Sequence, residues 1–361
     1  GADAPGGRIE VSVTLTDDGQ ATRISTIDNT VGNLLSALTN PEADWEEPAK
    51  ALKQLVLAPA REGLGKSSKW FLSMDGQLSL VPFSVLPLAD GKLTLVDKIE
   101  LVYVTSGRDL LRRSDGEGAK TSVAMLADPQ FSLTGKRAAA AADSGAAQSR
   151  ASGIYRGLRL GKVAPLPGTR QEAKAIEKLL KKSELTTLLG DHATKQEFLK
   201  IEQPGILHAA THGLFLGDTN KPGDNSRGVV IDEDESRPAP STATAAAGAA
   251  RPVFIENPLL SSMLVMAGAE TASKTPAEAR DPEIGNGLVT ALEVASMNLW
   301  GTQLVVLSAC ETGRGDVSNL GQGVYGLRRA VMVAGAQTLL TSLWKVDDKA
   351  TRDLMTRYYK N

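Results

Sequence analysis

Residues 205–213 read GILHAATHG, and residues 303–316 read QLVVLSACETGRGD. Each is a short apolar run that stops at a polar turn carrying glycine, the pattern of a buried strand in a parallel sheet. His212 closes the first run, and Cys310, the only cysteine of the chain, closes the second. Other runs of the same kind surround them: TSVAMLADP, LTTLLG and AQTLLTSLW. Helical patterns separate them, including TRQEAKAIEKLLKK, with Ala173, Ile176, Leu179 and Leu180 expected on one face, and GVYGLRRAVMVAG. Alternation of this kind predicts an α/β fold with a largely parallel sheet.

The N-terminal part reads similarly on a smaller scale. RIEVSVTLTD alternates like a half-buried strand, and EEPAKALKQLVLAPARE has helical spacing with Leu52, Leu55 and Val56 on one face. KWFLSMDG, LVPFSVLPL and IELVYVTS read as strands. We divide the chain into a smaller α/β subdomain, residues 1–115, and a larger domain, residues 116–361. Three stretches, 135–153, 232–252 and 269–287, are rich in Ala, Ser, Gly and Pro and are expected to be mobile loops.

Composition narrows the function. Forty basic and 42 acidic side chains nearly cancel, which gives nucleic-acid binding little support. No apolar run reaches the ~18 residues of a membrane span. A lone cysteine forms no internal disulfide, which fits a reducing, cytoplasmic setting. Gly1 is neither a start methionine nor the opening of a signal peptide, so the sequence reads as part of something longer.

Cys310 has a bland reading, a small buried residue at the end of a core strand. Against it stands its place at the carboxyl end of that strand, where open α/β sheets put their ligand chemistry. Of the three histidines, His192 reads as exposed near a helix start. His208 and His212 lie four apart in a strand, hence on one face but ~13 Å from each other, too far to share a metal. His208 reads as a partly buried strand residue. His212 precedes Gly213, where backbone is able to approach a substrate closely. If the two strands are neighbours, imidazole and thiol meet at the sheet edge. An imidazole there takes the thiol proton and later returns it to a leaving amine. The N–H groups of Gly213 and Cys310 are then candidates to hold the oxyanion. A competing motif, GQGVYG with Asp347 downstream, has the form of a dinucleotide loop, but its glycines do not follow a strand directly and read as helix packing.

ILHAATHG followed by LVVLSACETGRGD resembles the CHAT family of caspase-like cysteine proteases, kin of caspases and separases. LSMDGQLSLVPFSVLPLADG, PLPGTRQEAKAI, LLGDHATKQEFLK, NGLVTALEVASMNLWGTQLVVLSACETG and GVYGLRRAVMVAGAQTLLTSLWKVDDKAT extend the likeness in order, over roughly residues 50 to 361. The resemblance implies a caspase-like three-layer fold, a central sheet flanked by helices. It also implies a catalytic dyad of His212 and Cys310, with no metal or organic cofactor. The interval 218–287 is longer than the pattern leads one to expect, and the chain stops at YYKN where relatives run on into another helix.

These observations give two readings. The first is a cysteine endopeptidase acting on protein substrates through an acyl-enzyme, under an upstream sensor or tetratricopeptide-repeat region. The second is an inactive scaffold of the same fold that binds partners; the presence of both dyad residues argues against it. In caspase-like proteases the segment after the cysteine strand's helix helps build the specificity pocket. Here it carries Trp344, Asp347 and Asp348, which suggests cleavage after Arg or Lys. One acid also suits the start of the helix DKATRDLMTRYY, and Lys345 or Arg352 stands near enough in sequence to neutralise the pocket. Self-processing is then expected after Arg150 or Arg280, in preference to Arg237 and Arg251, which prolines follow.

Overall fold

The computed structural model describes residues 20–40, 42–64, 66–88, 93–104, 107–111, 121–133, 159–180, 184–215, 231–232, 258–260, 262–275, 284–308, 326–342 and 348–360. The described residues up to Leu111 belong to one compact unit, and those from Thr121 onward to a second.

In the first unit, α1 (Gln20–Thr39) and α2 (Glu46–Leu64) pack together and a two-stranded parallel sheet follows, β1 (Lys69–Leu72) with β2 (Glu100–Tyr103). The amphipathic spacing of α2 works as expected: Leu52 is fully buried, and Leu55 and Val56 pack against the same core. LVPFSVLPL is not the expected strand. It turns through short 3-10 segments, Gly76–Leu80 and Phe83–Val85. Pro82 and Pro87 have no N–H for a ladder. The apolar residues are buried all the same, Val81, Phe83 and Leu86 among them. The alternating run RIEVSVTLTD lies outside the described residues.

The second unit runs in chain order through β3 (Val123–Pro129), β4 (Arg159–Leu160), α3 (Pro167–Leu179), β5 (Leu185–Gly190), α4 (Lys195–Leu199), β6 (Ile206–Ala210) and β7 (Gly213–Phe215). It continues through β8 (Ile231–Asp232), β9 (Ser262–Val265), α5 (Ala269–Lys274), β10 (Leu288–Thr290) and α6 (Ala291–Ala295). It closes with β11 (Leu304–Leu307), α7 (Leu327–Val333), β12 (Thr338–Thr341) and α8 (Asp348–Tyr358). Five strands form one parallel sheet in the order β12-β11-β6-β3-β5. Apolar side chains fill both its faces. Ala124, Leu126, Leu207, Val305 and Leu307 face the core of α6 and α7, while Val123, Met125 and Ala210 face Ala173 and Ile176 of α3. This is the layered α/β arrangement of the caspase-like fold. Leu179 departs from the expected face of α3: it sits in the last turn and is 39% exposed, while Leu180 packs inward.

A three-stranded antiparallel sheet, β10-β9-β7, lies beyond β6 in the chain. The stretch 269–287, expected to be a loop, opens with α5, and Ala269, Ala272 and Ile284 are buried. Ala269 and Ala272 are packing residues, small because the space is small, and residues 276–283 lie outside the described residues. The stretch 135–153 lies outside the described residues, as does 232–252 beyond Asp232.

Candidate functional site

β6 and β11 are hydrogen-bonded neighbours in parallel, with the register Leu304↔Ile206 through Leu307↔Ala209. The N–H of Ser308 donates to the carbonyl of Ala209 at 2.9 Å, carrying the pairing past the end of β11. His212 stands three residues after Ala209 in the sequence, and Cys310 three after Leu307. Cys310 itself lies outside the described residues, as do Trp344 and Asp347.

His212 follows the carboxyl end of β6, between two sheets. Its carbonyl accepts the N–H of Val265 at 2.9 Å, and the hydroxyl of the preceding Thr211 donates to the carbonyl of Val265. Both bonds tie the turn to β9. The imidazole is gripped as well. Its Nε2 lies 2.7 Å from the carbonyl oxygen of Ala164, and the ring of Phe131 sits 5.2 Å away, tilted by 41°. A carbonyl only accepts, so Nε2 carries the hydrogen, and in the neutral ring the lone pair is on Nδ1. The residue is only 2% exposed.

Gly213 opens β7 opposite Leu264 of β9. The bond between His212 and Val265 occupies the pair before it, and amides alternate in direction along an antiparallel ladder. The N–H of Gly213 therefore points away from β9. Asp348 is the first residue of α8. Arg352 bonds Gln171 at 2.6 Å and Asp353 at 2.9 Å.

His208 is not merely a partly buried strand residue. It is wholly buried, its Nε2 lies 3.0 Å from Oε1 of Glu172 on α3, and its Nδ1 lies 3.1 Å from the hydroxyl of Tyr359. The second oxygen of Glu172 accepts from the Ser308 hydroxyl at 3.4 Å. This polar cluster joins β6, the end of β11, α3 and the residue that follows α8. No group of three or more metal-ligating side chains occurs among the described residues. His192 is exposed, beside Asp191.

Two features of the site escaped the sequence. One is the carbonyl of Ala164, because every residue has one and none advertises its direction. The other is Glu270, whose Oε2 accepts the N–H of Val163, next to Ala164, at 3.4 Å and which reads as an ordinary acid in an Ala-rich stretch. The carboxyl edge of β3 also carries a residue in the left-handed region, Asp128 at φ 47°, whose carboxylate meets Arg170 at 2.5 Å.

Comparison with known proteins places these features. Residues 46–361 match the CHAT domain family. Tetratricopeptide repeat protein 28 of Mus musculus is 26% identical over 322 residues, 87% of this chain and 12% of that protein. The Homo sapiens protein of the same name is likewise 26% identical, with 11% of its length covered. The chain thus spans about an eighth of the length of the mouse relative and about a ninth of the human one. With a match over most of its length, and with a five-stranded parallel sheet between helices, the chain belongs to the caspase-like CHAT domain family.

Proposed function

We propose that this domain is a cysteine endopeptidase, with Cys310 as nucleophile and His212 as acid and base. The observation that carries this reading is the fixed tautomer of His212. The Ala164 carbonyl holds the hydrogen on Nε2, so the lone pair of the neutral ring is on Nδ1, just past the end of β6, whose parallel neighbour in matched register is β11, the strand that precedes Cys310 in the sequence.

In this reading Nδ1 takes the thiol proton as sulfur attacks the scissile carbonyl, forming the S–C bond. The carbonyl electrons move onto oxygen, where the N–H of Gly213, and that of Cys310, offset the charge. The tetrahedral species collapses, the C–N bond breaks, and the imidazolium gives its proton to the departing amine. Water then adds to the thioester, losing a proton to Nδ1. The acid leaves and the thiol is restored. The chemistry asks for no metal or cofactor.

Trp344, Asp347 and Asp348 are proposed to line a pocket for a basic side chain, with self-cleavage after Arg150 or Arg280. An upstream tetratricopeptide-repeat or sensor region is proposed to control the enzyme, in line with the names of the relatives. The single cysteine suits a reducing, cytoplasmic setting. A thiol-directed probe tests the reading. Labelling at Cys310 that is lost in both Cys310→Ala and His212→Ala, together with peptide cleavage lost in both, supports the enzyme. A folded chain that neither labels nor cleaves marks an inactive, partner-binding scaffold.

A further inference from the structure

We propose that Glu270 is a positioning residue for His212, holding the imidazole through the backbone on two of its sides. The proposal rests on the reading of His212 as the acid and base. Glu270 is the second residue of α5, and its Oε2 accepts the N–H of Val163 at 3.4 Å. The next residue in the chain is Ala164, whose carbonyl receives the His212 Nε2–H at 2.7 Å. The backbone N–H of Glu270 donates to the carbonyl of Phe131 at 3.0 Å, and the Phe131 ring lies against the imidazole. One turn further along α5, the hydroxyl of Ser273 donates to the carbonyl of Leu160 at 3.1 Å. A single helical turn thus fastens both the segment that orients the histidine and the residue that stacks on it.

The turn delivers its carboxylate from a fixed base. Gly268, ahead of α5, has φ 79°, and a Cβ there would stand 2.6 Å from Ile284. Gly287 has φ 67°, and a Cβ there would stand 2.3 Å from the Cα of Ala269. Backbone meets backbone at that point, so the start of α5 has little room to shift. Lys274 takes Oε1 of Glu270 at 2.9 Å, which leaves Oε2 for Val163. Burial pushes the Glu270 carboxyl upward, but the hydrogen bonds from Lys274 and Val163 and the charges of Lys274 and Lys162 outweigh it and hold it below its usual range. The group is an acceptor throughout neutral pH.

A bland role competes, since an acid in a first turn favours any helix. Three variants separate the two. Glu270→Gln loses the charge but keeps an oxygen for Val163. Glu270→Asp keeps the charge but withdraws the carboxylate by one methylene. Glu270→Ala loses both. With ¹⁵N-labelled histidine in the Cys310→Ala chain, only three imidazoles need assignment. We expect the Nε2–H tautomer of His212 in the parent and in the Gln variant, and a mixed signal in Asp and Ala. In the Cys310 enzyme, kcat should fall roughly ten- to hundredfold for Asp and Ala with KM nearly unchanged, as for a small misplacement of a reacting group. The Gln variant should stay within about threefold. Should Ala fail to fold, Asp and Gln still decide the matter. A pure Nε2–H signal with parental kcat in the Asp variant overturns the proposal, and so does a Gln variant as impaired as Ala. Failure of the dyad itself would show elsewhere, as cleavage that persists in Cys310→Ala, while the imidazole spectrum stays readable.

Discussion

His212 gives its Nε2–H to the carbonyl of Ala164 across 2.7 Å, and the imidazole so held is almost fully buried. The first prediction follows from that burial. Cys310→Ala and His212→Ala should each lower peptide cleavage by about 10³-fold or more, as removal of a nucleophile or its base does in dyad and triad enzymes. His212→Ala should also be less stable than the parent. His212→Ala leaves the Ala164 carbonyl without its donor and empties space beside Phe131, costing about 1–3 kcal/mol. A melting temperature for His212→Ala equal to that of the parent would contradict the buried grip.

A second prediction concerns His208 and Glu172, both buried to 1% or less. His208→Ala leaves the buried Glu172 carboxyl without its imidazole neighbour and opens a cavity, and should cost about 2–5 kcal/mol. Replacing both residues together with apolar ones, Glu172→Met with His208→Leu, should recover most of that loss, because no buried polar group of the pair is then left without its neighbour. Urea midpoints of the two variants check this. A double variant as unstable as the single one would show that shape, rather than pairing, sets the cost.

Tyr359 carries a third. Burial, with smaller contributions from Tyr358 and Glu172, raises its phenol well above the usual tyrosine value. As pH climbs past about 10, the unfolded chain ionises this phenol while the folded one keeps it protonated. Its contribution is therefore complete below about pH 10 and lost as pH rises further. Tyr359→Phe should flatten the alkaline fall in stability, and at neutral pH should cost about 1 kcal/mol for the lost bond to His208. Denaturation curves of the two proteins between neutral and strongly alkaline pH make the comparison; identical slopes would refute it.

The fourth is specificity. A peptide library should show Arg before the cut, ahead of Lys, and Asp347→Asn or Asp348→Asn should weaken that preference by about ten- to hundredfold if one of them meets the guanidinium. A preference for Leu, Met or Asp would leave both acids as helix-start residues.

The parallel sheet was legible because strands such as LVVL and ILHAA are apolar throughout and end sharply at turn residues. The same signal made His212 and Cys310 stand out. It misled at LVPFSVLPL, where apolar character was real but the prolines forbade a ladder, and at Ala269–Lys274, where alanine meant close packing and not absence of structure. The grip on His212 was hidden for a different reason. Its parts come from Phe131, Ala164 and Glu270, three distant places in the chain, and two of the contacts use backbone atoms that leave no mark in a sequence.

The contact between Tyr359 and His208 spans 151 residues of chain. β6 meets β3, made earlier, on one side and β11, made much later, on the other, and the ring of Tyr359 packs against its histidine. A nascent chain that has released His212 from the ribosome still lacks the strand and the aromatic lid that complete the core around β6. The surroundings of His208 are therefore complete only once the stretch around Tyr359 has been made.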